Sequence, residues 1–366
     1  MNLQYNVGLL YYLAAHLKIV KNKWGFCTSV LLGFSHYKVK INNLKTIVFE
    51  KKQFNILLCL LGILSYATQY SMISKNMIKV SFDSQNWFTL PLTNFSKEDE
   101  NLLILLYQGI KNGANFITQD SPVKRGKTLK IIDVDGKKIV ETYQGIKFHL
   151  ELIHPGNTII ETFIQDIHSI SNKDNWENKI VLDIGAECGD TALYYANLGA
   201  KVYSFEPIKN NFNSFQENLK LNPNLSKKIT AINAAIGRDG KVKFYLNPEA
   251  PDTGASFVYN KYDTPSFTTT VDGFSLKSAL KKFGIEHVDL LKMDCKGCEF
   301  FLTEEDLVNV DKVKIEYLVQ SKDKQLENLI EVLESAGFQN IIYKTNPEQN
   351  VSNKVLGHIY GIKKSS

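Results

Sequence analysis

One stretch of sequence decides the fold of this chain: Val181-Leu182-Asp183-Ile184-Gly185-Ala186-Glu187-Cys188-Gly189-Asp190-Thr191. It starts as an apolar strand, reaches an acid, and passes through two glycines, four residues apart, into a helix start. Glycines at these positions let the backbone approach a bound nucleotide closely, and the helix start offers N–H groups that have no partner within the helix. The stretch therefore predicts a strand–loop–helix unit that binds a ligand at its loop.

The second predicted strand also ends in an acid, because Phe205-Glu206-Pro207 places a carboxylate 23 residues after Asp183. In a βαβ unit, an acid at this distance hydrogen-bonds both ribose hydroxyls. A pyrophosphate-binding loop normally reads Gly-x-Gly-x-x-Gly, whereas this loop has only two glycines with two acids beside them. Such acids suit a ligand with an ammonium group, which indicates S-adenosylmethionine. A dinucleotide, or glycines that merely turn the chain, stay as alternatives.

Strands and helices alternate outward from this unit. The predicted elements are Ile180–Ile184, a helix from Asp190, Val202–Phe205, a helix from Lys209, Ile229–Ala234, helix Leu276–Phe283, Val288–Met293, Val313–Tyr317, a helix from Lys324, and Phe338–Tyr343. Such alternation predicts an α/β fold, a doubly wound parallel sheet with helices on both faces. Its ligands are expected at the carboxyl ends of the strands.

The chain before residue 126 has a different pattern, which predicts a separate N-terminal α+β domain over residues 1–125. A polar segment from Gln119 to Lys127, with Pro and Gly, marks the boundary. Residues 126–366 form the second domain, with its core at 159–366. The predicted elements before and just after the boundary are strand pairs Tyr37–Ile41 with Thr46–Glu50, Met77–Phe82 with Trp87–Leu90, and Leu129–Val134 with Lys137–Glu141, and a helix capped by Ser96.

Composition restricts the function classes. With 366 residues, 44% of them hydrophobic, the chain can bury a large core and is not a disordered or disulfide-stapled sequence. Five cysteines are few for this length, which predicts reduced thiols and a cytoplasmic location. Residues 1–80 contain ten lysines and a single acid, Glu50, which suits an anionic membrane surface or a solvated face. Arginine occurs only at Arg125 and Arg238, so specific nucleic-acid binding is not expected.

Two apolar stretches raise the question of membrane insertion. Val7–Leu17 is too short for a span and has no preceding positive charge, as a signal peptide would. Gln53–Ser74 lacks charged residues, but only Ile56–Leu64 is densely apolar. The sequence therefore predicts a buried or interfacial helix at 53–74 and, at most, peripheral contact with a membrane.

Five separated motifs, in order, give the chain a family resemblance. They are Glu161-Thr162-Phe163, Val181–Ala186 with Gly189–Ala192, Phe205-Glu206-Pro207, Asn233-Ala234-Ala235-Ile236-Gly237, and Val288–Asp294 before Gly297 and Glu299. Over about residues 159–316, the chain resembles the FkbM-type family of S-adenosylmethionine-dependent methyltransferases. The resemblance implies a Rossmann-like class I methyltransferase fold and this cofactor. It also implies O-methylation of a hydroxyl on a sugar, glycan or glycolipid, because such enzymes commonly modify sugar hydroxyls or secondary metabolites.

The resemblance and the loop pattern together assign the site. The expected cofactor-binding residues are Glu161, Asp183, Gly185, Ala186, Glu187, Gly189, Asp190, Thr191, Glu206, Pro207, Asn233, Ala234 and Asp294. Asp294, expected beside the transferred methyl group, is the candidate catalytic base and Glu299 the second choice. Alternatively, both acids cap the helix that follows the fourth strand.

One position departs from the family pattern, because Lys296 stands where the family usually has Glu. A catalytically weakened binding module is therefore kept as an alternative, and a dinucleotide-dependent oxidoreductase as a further one. Cys295 and Cys298 form a Cys-x-x-Cys without a second ligand pair, so no metal site is predicted and small side chains filling tight space are expected. Residues 255–270 are expected to border the acceptor site.

Overall fold

The computed structural model describes residues 17–42, 44, 46–119, 126–169, 175–246, 268–319, 325–343, 352 and 355–363. Contacts divide the chain into two compact units, Met1–Asp166 and Ile167–Ser366. The predicted hairpin after residue 126 thus belongs to the first unit, and the boundary predicted after residue 125 lies 41 residues before this division. A functional division after residue 125 stays a prediction.

The first unit combines helices with small, mainly antiparallel sheets. Its described α-helices are α1 (Lys23–Leu31), α2 (Phe54–Tyr66) and α3 (Lys97–Lys111). A π-helix covers Gly156–Ile164, and short 3-10 turns cover Leu17–Ile19, Lys51–Gln53 and Leu150–Leu152. The strands are β1 (His36–Lys40), β2 (Thr46–Glu50), β3 (Gln69–Ser74), β4 (Met77–Ser81), β5 (Trp87–Pro91), β6 (Asn115–Thr118), β7 (Thr128–Val134), β8 (Lys137–Thr142) and β9 (Lys147–His149).

All three predicted hairpins are present, in the sheets β1-β2, β3-β4-β5 and β6-β7-β8-β9. The predicted cap of α3 is also present, since Ser96 Oγ accepts from the Asp99 amide and the Asp99 carboxylate accepts from the Ser96 amide. The helix predicted over 53–74 is shorter than expected. Helix α2 ends at Tyr66, and the hydroxyl- and amide-rich remainder pairs with β4 as β3.

Helix α2 is a core helix, because every residue from Ile56 to Leu64 is buried within the first unit. Within the described residues, no helix is both long enough and apolar enough to cross a membrane.

The second unit is the doubly wound sheet that the alternating pattern predicted. Its described helices are α4 (Asp190–Asn197), α5 (Lys209–Leu221), α6 (Pro223–Ser226), α7 (Leu276–Phe283) and α8 (Leu326–Ser335), with 3-10 turns at Cys298–Phe301 and Glu305–Leu307. Its strands are β10 (Ile180–Ile184), β11 (Lys201–Phe205), β12 (Ile229–Ile232), β13 (Ala235–Ile236), β14 (Gly240–Tyr245), β15 (Thr268–Phe274), β16 (Leu290–Met293), β17 (Lys312–Leu318), β18 (Phe338–Tyr343) and β19 (Leu356–Lys363).

The main sheet has the order β12-β11-β10-β16-β17-β19-β18, and β13-β15-β14 form a small second sheet. Strand β19 corrects the expectation of a fully parallel sheet, because it runs antiparallel between β17 and β18. The parallel strands β10, β11 and β16 lie side by side, so their carboxyl ends meet at one edge.

Candidate active site

The loop between β10 and α4 needs glycine at both predicted positions. Gly185 and Gly189 have φ angles of 82° and 87°, which side-chain-bearing residues rarely adopt. A Cβ on Gly185 would lie 2.0 Å from the Asp294 carbonyl oxygen, and one on Gly189 would lie 2.0 Å from the Phe215 ring. The glycines therefore let the loop pack directly against the segment after β16 and against helix α5.

Backbone hydrogen bonds fix this glycine loop to the end of β11. The Gly185 and Ala186 amides both donate to the Phe205 carbonyl, at 2.9 and 3.1 Å. On the other side of the loop, the buried side-chain amide of Asn218 donates to the Cys188 carbonyl at 3.0 Å. The loop is thus held from two elements.

Glu206 lies where the ribose-binding acid was predicted, directly after β11, and its side chain is buried. One carboxylate oxygen accepts from the Glu187 amide at 2.9 Å and the other from the Ile208 amide at 2.8 Å. Burial raises its pKa to about 7 despite these hydrogen bonds. Asn233 donates its side-chain amide to the Glu206 carbonyl at 2.8 Å, which connects the fourth predicted motif to the third.

Asp183 is the centre of a fully buried polar network. Its carboxylate accepts from Thr191 Oγ1 at 3.0 Å and from Ser204 Oγ at 3.1 Å, and it lies 3.0 Å from Lys292 Nζ. The lysine also donates to the Gly185 carbonyl at 3.1 Å. Asp183 therefore supports the glycine loop through Lys292 and fixes the start of α4 through Thr191. Its contact with the cofactor stays a prediction.

Lys292 lies within the Val288–Asp294 motif, but its type and position in the sequence predicted no role for it. Its side chain is 5% exposed and lies opposite Asp183 in the register of β16 and β10. Burial by itself would lower the lysine pKa, but the carboxylates of Asp183 and Asp294 raise it above its ordinary value. The sequence did contain a signal for this role, since a lysine among the apolar residues of a central strand is buried, and a buried charge requires a partner of opposite charge.

The loop region has an excess of carboxyl groups. Burial first, and then the charge of Asp190, raise the pKa of Glu187 to about 8. The charges of Glu206 and Asp294 contribute to this rise, and the charge of Lys296 opposes it. A cationic ligand would relieve this repulsion. The amino and sulfonium groups of S-adenosylmethionine provide two positive charges, so the donor set fits this cofactor and disfavours a pyrophosphate.

Asp294 directly follows β16, at the same sheet edge, and its amide donates to the Ile184 carbonyl at 2.9 Å. Its carboxylate lies 3.2 Å from Lys296 Nζ, and the two side chains are 32% and 37% exposed. Burial favours the neutral acid, but Lys296 and Lys292 lower the pKa of Asp294 below its ordinary value. The result is a partly accessible carboxylate that stays ionised at neutral pH.

Glu299 is buried, and both of its carboxylate oxygens contact backbone. Oε2 accepts from the Gly297 amide at 2.7 Å, and Oε1 accepts from the Leu318 amide at 3.1 Å. Burial raises its pKa to about 7. A carboxylate that accepts from backbone amides in this way is what the capping alternative expects. A catalytic role for Glu299 stays a prediction.

Cys295 and Cys298 correct the expectation of reduced thiols. The structure joins them in a disulfide, with their Cα atoms 5.5 Å apart, a separation that suits a bridge. The bridge closes the loop between Asp294 and Glu299.

The second unit brings most of the predicted site residues to one sheet edge. The glycine loop, Glu206, Pro207, Asn233, Ala234 and Asp294 lie at or beside the carboxyl ends of β10, β11, β12 and β16. Glu161 lies in the π-helix of the first unit, so its assignment to the site stays a prediction. Of the predicted acceptor border, 255–267 lie outside the described residues, and 268–270 begin β15.

A cavity of about 380 Å³ lies beside the Asp294 loop. Its lining includes Met293, directly before Asp294, and Cys298, four residues after it, but not Asp294 itself. Its polar lining includes Arg238, whose guanidinium lies 4.8 Å from the centre of the Phe301 ring. The remaining lining residues are Ile236, Gly237, Asp239, Ser275, Leu276, Lys277, Leu302, Thr303 and Asp306.

The sheet order, the glycine loop and the acid after the second strand define a Rossmann-like enzyme that uses a nucleoside-containing cofactor. Residues 183–339 match the family model described as "Methyltransferase FkbM domain". This match, over somewhat under half of the chain, confirms the resemblance predicted from the motifs. The enzyme class is S-adenosylmethionine-dependent methyltransferase, and S-adenosylmethionine is the cofactor.

Solved structures with similarity to the chain include three methyltransferase-fold or RNA-processing proteins. An rRNA methylase from Streptococcus thermophilus is 13% identical, with a TM-score of 0.34, over 52% of this chain and 89% of its own. The fibrillarin pre-rRNA processing protein of Methanococcus jannaschii is 12% identical, with a TM-score of 0.36, over 81% and 98%. Magnesium protoporphyrin IX methyltransferase from Synechocystis, with bound SAM, is 11% identical, with a TM-score of 0.31, over 52% and 72%.

Similarities this weak say nothing about the acceptor of this chain. Among curated proteins, no significant match is found.

Proposed function

We propose that this chain is an S-adenosylmethionine-dependent O-methyltransferase that acts on a hydroxyl of a sugar, glycan or glycolipid. The observation that carries the proposal is the position of Asp294. It is an ionised, partly exposed carboxylate next to the glycine loop, and the residues on both sides of its loop line a cavity. A methyl acceptor must reach the Asp294 carboxylate from one side while the cofactor lies on the side of the glycine loop.

For the cofactor, each element has a separate task. Glu206 is the group for the ribose hydroxyls, because each oxygen of an ionised carboxylate can accept a further hydrogen bond beside its backbone amide. The loop at Gly185–Gly189 gives the backbone approach, and Glu187 and Asp190 supply negative charge for the amino and sulfonium groups. Asn233 and Ala234 border the adenine.

For the acceptor, the cavity supports a ligand the size of a sugar unit. Its volume of about 380 Å³ falls in the range of small-molecule sites. Met293 and Leu302 contribute apolar lining, while Ser275, Thr303 and Arg238 supply polar groups. Sugars present both kinds of surface, which favours a carbohydrate over a purely apolar acceptor.

The chemistry that the chain must add is modest. The cofactor supplies a methyl group on a good leaving group, its sulfonium sulfur. Asp294 orients the acceptor hydroxyl by accepting its hydrogen bond and takes its proton as the oxygen–carbon bond forms, which contributes about 10²–10⁴-fold. Lys296 holds this carboxylate in place and ionised. Glu299 fixes the loop through the Gly297 and Leu318 amides.

The test is methyl transfer from labelled cofactor to a panel of sugars and glycolipids by the parent chain and Asp294→Asn. We expect the variant to lose at least 100-fold in kcat and to bind the cofactor within about threefold of the parent. Asp289→Asn is a matched control, because Asp289 is an ion-paired aspartate directly before the same strand, at the end opposite to Asp294. Equal losses of kcat in both variants, or no loss in Asp294→Asn, would contradict the role of Asp294 as the base. Binding without any transfer would favour the weakened binding module.

The expected location is cytoplasmic, with peripheral contact of the N-terminal segment with an anionic membrane surface. A glycolipid acceptor would be consistent with that contact.

A further inference from the structure

The loop after β16 is a closed covalent ring. The Cys295–Cys298 disulfide encloses Lys296 and Gly297, which both have positive φ angles, 50° and 131°. The ring starts one residue after Asp294 and ends one residue before Glu299. A covalent bond has therefore been placed in the segment that carries the proposed base.

The two sulfur atoms differ in access. Cys298 is buried, at 2% exposure, whereas Cys295 is partly exposed. A reagent in solvent therefore reaches the Cys295 sulfur first, and Cys298 is in place to react with it second. The other two buried cysteines, Cys59 and Cys188, have free thiols.

A proton acceptor lies beside the accessible sulfur. Glu299 Oε2 is 3.4 Å from Cys295 Sγ, and the same oxygen accepts from the Gly297 amide within the ring. Burial raises the pKa of Glu299 to about 7. Thiol–disulfide exchange requires a thiolate, so a buried carboxylate in contact with the sulfur provides a place for the thiol proton.

We propose that Cys295 and Cys298 are a reversible modification site that exchanges with low-molecular-weight thiols and disulfides, and that the closed form strengthens cofactor binding. The Cys-x-x-Cys spacing in an α/β domain agrees with redox chemistry. The two sulfurs are bonded to each other, so neither can ligate a metal in this state.

The exchange balances with a small disulfide as oxidant. Cys295 loses its proton to Glu299, and its thiolate attacks one sulfur of the small disulfide. This forms a mixed disulfide and releases one small thiol. The Cys298 thiolate then attacks Cys295 Sγ, which closes the ring and releases the second small thiol. Two protein thiols and one small disulfide thus become one protein disulfide and two small thiols.

The ring is coupled to the cofactor loop through Asp294. The Asp294 carbonyl packs against Gly185, because a Cβ atom added to Gly185 would lie 2.0 Å from the Asp294 carbonyl oxygen. Its amide donates to the Ile184 carbonyl, and its carboxylate pairs with Lys296 inside the ring. Opening the ring frees the Lys296-Gly297 backbone, so Asp294 and the glycine loop lose a fixed support.

The first experiment follows the thiols alone and is independent of the proposed function. The full chain is equilibrated in glutathione buffers from reducing to oxidising, then alkylated, and its cysteine peptides are quantified by mass spectrometry. We expect Cys295 and Cys298 to be protected together as the buffer becomes oxidising and to be released together by reduction. Cys27, which is partly exposed in the first unit, is the control that changes independently of this pair. A pair that never closes in glutathione, or that excess dithiothreitol cannot open, would overturn the proposal.

The second experiment uses cofactor binding as the readout and rests on the proposed function. Calorimetry should give at least fivefold tighter S-adenosylmethionine binding to the oxidised chain than to the reduced chain. Cys295→Ser and Cys298→Ser should each match the reduced chain in both buffers, and Cys27→Ser should retain the difference. Equal affinity in the two states would overturn the coupling. Absence of binding in both states would overturn the proposed function, and the thiol titration would still decide the modification site.

Discussion

Lys292 shows how much a single buried residue contributes to this site. It neutralises Asp183, which has no exposed surface, and donates to the Gly185 carbonyl from the neighbouring strand. Asp183 in turn holds Thr191 at the start of α4. One ion pair therefore connects the strand of the proposed base to the loop of the cofactor.

Removal of this lysine should be costly. In Lys292→Met the Asp183 carboxylate would stay buried without its partner, so we expect the free energy of unfolding to fall by about 3–5 kcal/mol. Urea denaturation measures the change. Lys241→Met is the matched control, because Lys241 is also a strand lysine in an ion pair but is exposed, and its loss should fall within experimental error. Similar losses in the two variants would contradict the account of Lys292.

Glu187 makes cofactor binding depend on pH. Its pKa of about 8 in the free chain means that it is mostly protonated at pH 6 and must lose a proton to face a cation. We therefore expect affinity for S-adenosylmethionine to rise about tenfold between pH 6 and pH 7.5, with net proton release on binding. Calorimetry in buffers of different ionisation enthalpy measures both quantities.

Two variants separate this effect from general acidity. Glu187→Gln should remove the part of the profile that Glu187 causes and leave the part due to Glu206, whose pKa is about 7. Glu217→Gln, at a partly exposed acid of α5, should retain the whole profile. The same raised pKa has the opposite effect on the free chain. Because the folded state holds this proton more tightly than the unfolded state, the contribution of Glu187 to stability falls as pH rises from about 4.5 to about 8. Proton uptake on binding would contradict the assignment.

At the scale of elements, the glycine loop depends on close packing as well as on backbone freedom. We expect Gly189→Ala to abolish measurable cofactor binding, because the new Cβ would overlap the Phe215 ring and force α5 or the loop to move. Gly284→Ala is the control. Gly284 has a φ of 63° but open space around it, so it should show only backbone strain, about 1–2 kcal/mol of stability, and normal binding. Normal binding by Gly189→Ala would show that the loop does not need this contact.

Sequence patterns predicted those elements whose signals are local. Ser96 marks a cap and Asp135-Gly136 a hairpin, and the apolar runs of β10 and β16 reach an acid at the sheet edge. Strand β19 was missed because Gly357 and Gly361 interrupt its pattern, and its antiparallel insertion depends on packing between β17 and β18.

The site was predictable to a similar degree. Glycines, and acids at fixed distances after strands, indicated Gly185, Gly189, Glu206 and Asp294. The support by Asn218 could not be predicted, since a helix asparagine gives no local sign that it reaches a loop thirty residues earlier. The Cys295–Cys298 bridge also depends on backbone geometry that spacing alone does not fix.

At the scale of the whole molecule, the first unit provides a basis for the predicted membrane contact. Ten lysines occur in residues 1–80, and large apolar side chains are exposed in or just after α1: Trp24 at 81%, Leu32 at 65% and Phe34 at 53%. Lysines near an anionic surface contribute about 1 kcal/mol each, and exposed aromatic side chains can insert among lipid headgroups.

Sedimentation with vesicles tests this contact. We expect the chain to bind vesicles rich in phosphatidylserine, to bind neutral vesicles weakly, and to be released by high salt. Trp24→Ser should weaken binding at least threefold, and Ile73→Ser, at an exposed apolar residue of β3, should not. Binding that resists both high salt and alkaline carbonate would mean an integral attachment. Absence of binding at low salt would mean that the lysines of residues 1–80 only form a solvated surface.

The central claim is that the sheet edge at β10, β11 and β16 binds S-adenosylmethionine. A thermal-shift panel of the purified chain with S-adenosylmethionine, S-adenosylhomocysteine and a nicotinamide dinucleotide tests it most directly. At a hundredfold excess over Kd, binding adds about 2.7 kcal/mol, so we predict that the first two ligands raise the Tm by roughly 5 °C or more and the dinucleotide leaves it unchanged. Stabilisation by the dinucleotide alone, or by none of the three, would contradict the account.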